Sequence, residues 1–403
     1  MSKGSQRMGV YICSCGGSIN ISLDTQALHQ AANNMDKVVH VSEMLFACSP
    51  ENRKKITDDV VRHKLDRVLI AACSPKLYLK EFQATVEEAE RKGCMVEMCN
   101  IREQCAWIHF DDRQAATDKA LDMLRMSHDR LLLQTSTEKA NVSQVNKMRC
   151  TGCGICESVC NFNAIHIAPD QEFGGARKAS VNINACEGCG ACVAACPTAA
   201  LDQTCFSNAQ MVSQIETFLK GSRMGFPKVV VFSCHWCSYT AADTAGLKRM
   251  AMDPHFCVLR TMCSARVDPE WVLKALSKGA DGVLVLAGHP GRCHYEIGNL
   301  RTRKRMTLLH KYLEQMGFDP ARFHIAYVDS EEGGLRGRGQ LLRGQGAGAG
   351  AEPGGPSHQD IPQAPGDALA GHQAAEEVGR GTGAVSPGPL FKPLFPFSCS
   401  HRP

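Results

Sequence analysis

Short apolar runs alternate with charged, amphipathic stretches over residues 8 to about 130. Met8-Gly-Val-Tyr-Ile-Cys13, Lys37-Val-Val-His-Val41, Arg67-Val-Leu-Ile-Ala-Ala72 and Cys94-Met-Val-Glu-Met98 read as strands. The stretches between and after them, 24–34, 51–63, 77–92 and 102–127, read as helices. A β-α-β-α order of this kind predicts a small parallel sheet covered on both faces. The same alternation resumes at Pro227, with strands at Lys228-Val-Val-Val-Phe232, Val258-Leu-Arg-Thr-Met262, Gly282-Val-Leu-Val-Leu286 and His324-Ile-Ala-Tyr-Val328, and helices at 240–251, 269–278 and about 297–316. The fold class expected is therefore α/β, with two small doubly wound parallel-sheet domains at 8–130 and 227–332. Between them, 131–146 reads as a linker. Residues 147–206 carry two cysteine blocks and little apolar periodicity, so metal must organise them.

Beyond residue 333 the pattern stops. From Glu331 onward the chain holds 16 of its 36 glycines and 9 of its 18 prolines. Such a segment buries too little surface to offset its ordering entropy, so 333–403 is expected to be a disordered tail. Its Gly-Ala-Pro-Arg bias also reads as translation of a GC-rich gene in a shifted frame.

The formal charge of the 403 residues is only +4, with no lysine- or arginine-rich block, which argues against a nucleic-acid partner. No apolar run reaches the roughly 18 residues a membrane span requires. Cysteine is the outlier, at 22 residues. Because the N-terminus lacks the apolar core of a signal peptide, a cytoplasmic location is expected, where clustered cysteines bind metal more often than they pair.

Cys150, Cys153, Cys156 and Cys160 are followed by Cys186, Cys189, Cys192 and Cys196, then Pro197. Both blocks have the C-x2-C-x2-C-x3-C spacing of bacterial two-cluster ferredoxins. Three thiolates on one glycine-bearing loop face three corners of a cubane, and the fourth cysteine reaches the other cube. Cys150, Cys153, Cys156 and Cys196 are therefore expected to hold one [4Fe-4S] cluster, and Cys186, Cys189, Cys192 and Cys160 the second. A pair of four-cysteine zinc sites is the bland alternative, but zinc sites do not repeat this spacing twice. Asn161 stands where proline is usual, and 25 residues separate Cys160 from Cys186.

A second constellation comprises Ser233-Cys234-His-Trp-Cys237, Thr261-Met-Cys263-Ser-Ala-Arg266 and Gly288-His-Pro-Gly-Arg-Cys293-His-Tyr295. Over roughly 227–332 these residues resemble the delta subunit of methyl-viologen-reducing hydrogenase, a small [2Fe-2S] protein passing electrons between hydrogenase and heterodisulfide reductase. Gly288 stands where the family usually has a cysteine, and Ser233 where one is frequent. The resemblance implies that Cys234, Cys237, Cys263 and Cys293 hold a [2Fe-2S] cluster. His289 and His294 are alternative ligands by the Rieske precedent, although turn histidines are more often bystanders. Cys257, within an apolar strand, reads as a core residue.

Over about 8–130 the chain resembles the amino-terminal domain of the heterodisulfide reductase A-type polypeptide, through Cys13-Ser-Cys15, Phe46-Ala-Cys48-Ser-Pro50, Ala71-Ala-Cys73-Ser-Pro75 and Asn100-Ile-Arg-Glu-Gln-Cys105-Ala-Trp107. In that family a flavin domain precedes the ferredoxin segment. No G-x-G-x-x-G follows a strand here, so no FAD is expected on this chain. Cys13, Cys48, Cys73 and Cys105 either share a further cluster or pack as thiols at a subunit contact.

The expected function is thus an iron–sulfur electron-transfer subunit without a catalytic site of its own. The resemblances imply heterodisulfide reductase-like subunits, a hydrogenase or formate dehydrogenase, and a flavoprotein as partners. A redox sensor, or a thiol oxidoreductase using Cys13 and Cys15 or Cys94 and Cys99, is the alternative; the latter needs an exposed thiolate of low pKa.

Overall fold

The computed structural model describes residues 6–89, 93–135 and 141–332. The expected tail at 333–403 lies outside the described residues. The first sheet is built from β1 (Met8–Cys13), β2 (Val38–Met44), β3 (Arg67–Ala72) and β4 (Met95–Asn100), all parallel, in the order β2-β1-β3-β4. Their crossovers are α1 (Thr25–Asn33), α2 (Pro50–Arg62) and α3 (Pro75–Glu87), and α4 (Arg113–Leu132) follows. Successive strand residues point to opposite faces. Met8, Val10 and Ile12 meet Leu28 of α1 and Leu121 and Leu124 of α4 on one face. Tyr11 and Cys13 meet Ile56 and Val60 of α2 and Phe82 and Val86 of α3 on the other.

The repeated Cys-Ser-Pro has a local structural reason. Ser49 and Ser74 are the N-caps of α2 and α3, each accepting a backbone N–H through its hydroxyl, and Pro50 and Pro75 open the helices, where the missing N–H costs nothing. Each cysteine is thereby fixed at a strand-to-helix turn.

The stretch expected as one helix over 102–127 is instead a π-helical turn at Arg102–Ala106, a break, and then α4. Residues 141–206 contain β5 (Ser143–Val145), α5 (Ile155–Ser158), β6 (Ile165–Asp170), β7 (Ala176–Val181), α6 (Ala191–Ala194) and β8 (Leu201–Gln203). The long connection between the cysteine blocks is the antiparallel hairpin β6-β7. A helix that the apolar pattern did not predict, α7 (Asn208–Gly221), comes next, closed at its start by a capping box between Ser207 and Gln210.

The second sheet repeats the plan of the first. It comprises β9 (Val229–Cys234), β10 (Phe256–Thr261), β11 (Gly282–Ala287) and β12 (Phe323–Tyr327), parallel, in the order β10-β9-β11-β12. With it go α8 (Ser238–Leu247), α9 (Pro269–Ser277) and α10 (Gly298–Gln315). Val230, Phe232, Leu259 and Val285 bury one face against Trp271 of α9, Met306 of α10, and Met211 and Ile215 of α7. Met126 of α4 lies in the same apolar cluster, which joins this layer to the first sheet's helices. Among the described residues no helix is long and apolar enough to cross a membrane.

Candidate functional site

In a parallel sheet of this order, ligands are held beyond the carboxyl ends of the strands, where the chain switches direction. Both sheets carry cysteines there. Cys13 ends β1, Cys15 follows it, Cys48 lies after β2, and Cys73 comes directly after β3. Cys15 and Cys48 bear electrostatically on Cys13, and Cys13 and Cys15 on Cys73. The N–H groups of Cys15 and Ala47 donate to the Cys13 sulfur at 3.3 and 3.4 Å, and Arg102 Nη1 lies 3.0 Å from the Cys15 sulfur. This is a thiol group with N–H donors and a cation beside it.

Cys105 does not belong to that group. It is fully buried with Cys99 among the residues packed on α4, and its sulfur lies 3.4 Å from Met123 Sδ. It lies within the π-helical turn Arg102–Ala106. The fourth thiol is Cys15, which the sequence suggested only as half of a redox pair. Burial pushes the Cys13 and Cys99 thiols up, the opposite of what a reactive thiolate requires.

The second sheet uses the same edge. Cys234 ends β9, Cys237 caps the start of α8, Cys263 follows β10, and Cys293 lies in the loop between β11 and α10. Cys234 and Cys237 act on each other electrostatically, as do Cys263 and Cys293. In the latter pair Cys263 and the N–H groups of Asn299, Tyr295 and Gly298 push the Cys293 thiol down to about 6, while the Cys263 thiol is pushed up.

Gly288 follows β11 as Cys73 follows β3, so the two positions correspond in the repeated fold. A Cβ on Gly288 would lie 2.6 Å from the Cys237 sulfur. Cys237 therefore occupies the space that a cysteine at position 288 would need, and four thiols still converge. A Cβ on Gly298 would likewise lie 2.5 Å from the Cys263 sulfur. His294 stacks on Trp236, with ring centroids 3.9 Å apart, and His289 bonds Glu332 at 3.0 Å, so each has a partner other than the thiols. Cys257 is buried beside Met126.

In the ferredoxin segment the thiols bearing on Cys156 are Cys196, Cys150 and Cys153, and those bearing on Cys192 are Cys189, Cys186 and Cys160. These groupings follow the crossed pattern. Backbone N–H groups of Ala179, Ala164 and Ala200 donate to the sulfurs of Cys150, Cys160 and Cys196 at 3.2–3.3 Å, and Ser143 Oγ lies 3.2 Å from Cys192. Gly152 and Gly188 have φ of +70° and +64°, and a Cβ would fall 2.3 and 2.0 Å from the carbonyl oxygens of Arg177 and Asn141. Only glycine allows that approach. Cys160, Cys186, Cys189 and Cys192 line one small recess of about 10 Å³. Thiolate donors, N–H···S bonds and enforced close approach fit iron–sulfur clusters. Asn161 accepts from Arg301 of α10 at 2.8 Å, so its amide ties the first block to the second sheet's domain.

The ferredoxin segment and the second sheet meet at Tyr295. Ala191, Cys263, Ala265 and Tyr295 form one buried cluster, with Phe162, Cys189 and Cys293 packed against it. The Tyr295 hydroxyl accepts from Trp236 Nε1 and donates to the Glu187 carbonyl, both at 3.1 Å. Arg266, fully buried over the Trp271 ring, reaches back to Gln203, Asn208 and Phe206. Neither Tyr295 nor Arg266 carried a signal in the sequence beyond its proximity to a cysteine.

Residues 229–335 match the family described as methyl-viologen-reducing hydrogenase, delta subunit, and residues 149–200 match the 4Fe-4S dicluster domain. The D-type iron-sulfur polypeptide of the F420-non-reducing hydrogenase of Archaeoglobus profundus is 44% identical over 107 residues, which are 27% of this chain and 78% of that protein. Its counterpart in the vhc F420-non-reducing hydrogenase of Methanococcus voltae is 42% identical over 107 residues, 27% of this chain and 74% of that protein. The A-type polypeptide of the ferredoxin:CoB-CoM heterodisulfide reductase of Methanosarcina mazei is 42% identical over 191 residues, 47% of this chain and 23% of that protein. The chain thus spans about a quarter of the length of that relative.

Thiol loops of dicluster spacing beside a cysteine-edged parallel sheet define an iron–sulfur protein. Through residues 229–335 the chain belongs to the methyl-viologen-reducing hydrogenase delta subunit family.

Proposed function

We propose that this chain is an electron-relay subunit of a heterodisulfide reductase-like or hydrogenase-linked oxidoreductase complex, in the cytoplasm. Cys150, Cys153, Cys156 and Cys196 would hold one [4Fe-4S] cluster, Cys186, Cys189, Cys192 and Cys160 a second, and Cys234, Cys237, Cys263 and Cys293 a [2Fe-2S] cluster. Cys13, Cys15, Cys48 and Cys73, with Arg102 offsetting thiolate charge, would hold a further cluster. When bound, each cluster supplies a one-electron couple whose potential depends on burial and on N–H···S bonds. The functional divisions are 8–130, 147–206 and 227–332. The partners fitting this reading are heterodisulfide reductase-like subunits, a hydrogenase or formate dehydrogenase, and a flavoprotein, with FAD on the partner.

The observation that carries the reading is the junction at Tyr295. Cys189 of one ferredoxin group and Cys263 and Cys293 of the second sheet's group pack in or against a single apolar cluster. The sites follow in the order of the C-terminal group, the Cys186 group and the Cys150 group. Tyr295 and the buried thiols keep water out between the first two.

Electron paramagnetic resonance of the fully reduced protein tests this order. Magnetic coupling between the C-terminal and the nearer ferredoxin centre is expected to broaden both signals. Cys186→Ser should remove the broadening, and Cys153→Ser, at an exposed position of the farther group, should leave it. Broadening lost only in Cys153→Ser would reverse the order.

A further inference from the structure

A cleft of about 500 Å³ opens between the N-terminal sheet's α3 and β4, the start of α7, and the edge of the second sheet. Such a volume is that of a small-molecule site rather than a packing defect. Its wall is basic. Arg130 is nine-tenths buried or more, with Nη1 donating to Glu97 at 2.8 Å and Nη2 to the Cys205 carbonyl at 2.8 Å, yet its buried Nε has no hydrogen-bond partner. Arg260, on β10, faces the same ring. The guanidinium carbons of Arg130 and Arg260 lie 4.4 and 5.3 Å from the Phe206 centroid.

Among the described residues the Arg260 guanidinium has ring contacts, with Phe206 and Tyr239, and no carboxylate or hydrogen-bond partner. Lys76 and Lys80 add two more cations to the wall and Glu81 a second carboxylate; Lys76 lies over the Trp236 ring at 5.7 Å and donates to Thr240 Oγ1. Two guanidinium groups on one ring with a single carboxylate between them repel one another, and partial burial removes the water that would screen them. An anion paired with Arg260 lowers that repulsion and also meets Lys76, and Trp236 and Phe206 offer flat apolar surface beside it.

We propose that this cleft binds a small organic phosphate with a flat ring, of mononucleotide size. The phosphate would pair with Arg260 and Lys76, and the ring would lie against Trp236. A partner protein's single acidic side chain would neutralise Arg260 but leave most of the cleft unfilled. His235, Trp236 and Met262 line the cleft and stand next in sequence to Cys234, Cys237 and Cys263, so the ligand would sit beside the C-terminal thiol group. The inference does not depend on which cluster that group holds.

Equilibrium dialysis of the full chain, purified anaerobically, against AMP, UMP and FMN tests the proposal with three ring types, each bearing one phosphate. At least one should bind saturably at one molecule per chain, with a dissociation constant below about 1 mM. Arg260→Met should weaken that binding by about tenfold or more, and Arg260→Lys by less, since a charge-assisted bond is lost in the first and part of it kept in the second. Iron content equal to wild type in both variants shows that the fold is intact. Absence of saturable binding for all three, or unchanged affinity in Arg260→Met at wild-type iron content, would overturn the proposal. Protection of Arg260 from phenylglyoxal by polyglutamate and by none of the three would also overturn it, in favour of a protein partner.

Discussion

Asp243, on α8, is a buried carboxylate at the contact between the two sheets' domains. Its Oδ2 accepts from Ser74 Oγ at 2.6 Å, and its Oδ1 from Asn100 Nδ2 at 2.9 Å and Gln104 Nε2 at 3.0 Å. Burial outweighs these bonds and raises its pKa from 3.8 to about 6. A raised carboxylate pKa means that the folded state holds the proton more tightly than the unfolded chain. The cost of ionisation is absent below about 4, grows through 6 and is complete above it. At neutral pH it amounts to about 3 kcal/mol, of which roughly 1 kcal/mol develops between pH 5 and 7.

Asp243→Asn removes the ionisation while its amide oxygen still accepts from Asn100 and Gln104, and its NH2 donates to Ser74 Oγ. Urea unfolding followed by circular dichroism at pH 5 and 7, under anaerobic conditions, should show wild type losing roughly 1 kcal/mol more than the variant over that interval. Asp243→Ala strands three buried polar groups and should destabilise by about 3 kcal/mol or more at both pH values. Equal pH dependence in wild type and Asp243→Asn would refute the assignment of the burial cost to Asp243.

Three other substitutions probe the thiol groups. Gly288→Ala puts a Cβ 2.6 Å from the Cys237 sulfur and forces it to move, so it should destabilise the domain by about 1–3 kcal/mol and reduce iron by about two atoms per chain while the ferredoxin signals persist, as read by iron analysis and paramagnetic resonance. Cys15→Ser should lower iron by about four atoms per chain, whereas Cys105→Ser, at a core position, should leave iron content unchanged.

Every strand of both sheets was legible: the central ones because fully buried parallel strands are continuous apolar runs bounded by turn residues, as in Val229–Cys234 and Gly282–Ala287, and the half-buried edge strands β2 and β12 from their shorter β-branched and apolar runs. Helix α7 carried its own signals, Ser207 and Gln210 at capping-box spacing and Met211, Ile215 and Phe218 on one face, but lay between two cysteine-rich stretches whose spacing masks its periodicity. The expected ferredoxin groupings rest on spacing alone: a tight loop with three cysteines leaves their side chains few directions. Of the two readings the sequence left open for Cys105, packing fits its place in the core, because burial against α4 depends on tertiary contacts that local composition does not encode. The cleft beside Arg260 and the Tyr295 junction arise from packing between elements over a hundred residues apart, and no local pattern encodes them.

Iron and acid-labile sulfide per chain, measured with paramagnetic resonance on anaerobically purified wild type and Cys293→Ala, test the central claim most directly. The account predicts a [2Fe-2S] signal in wild type, and its loss with about two irons in the variant while the [4Fe-4S] signals remain. A wild type without that signal, or a variant that keeps both the signal and its iron, would contradict it.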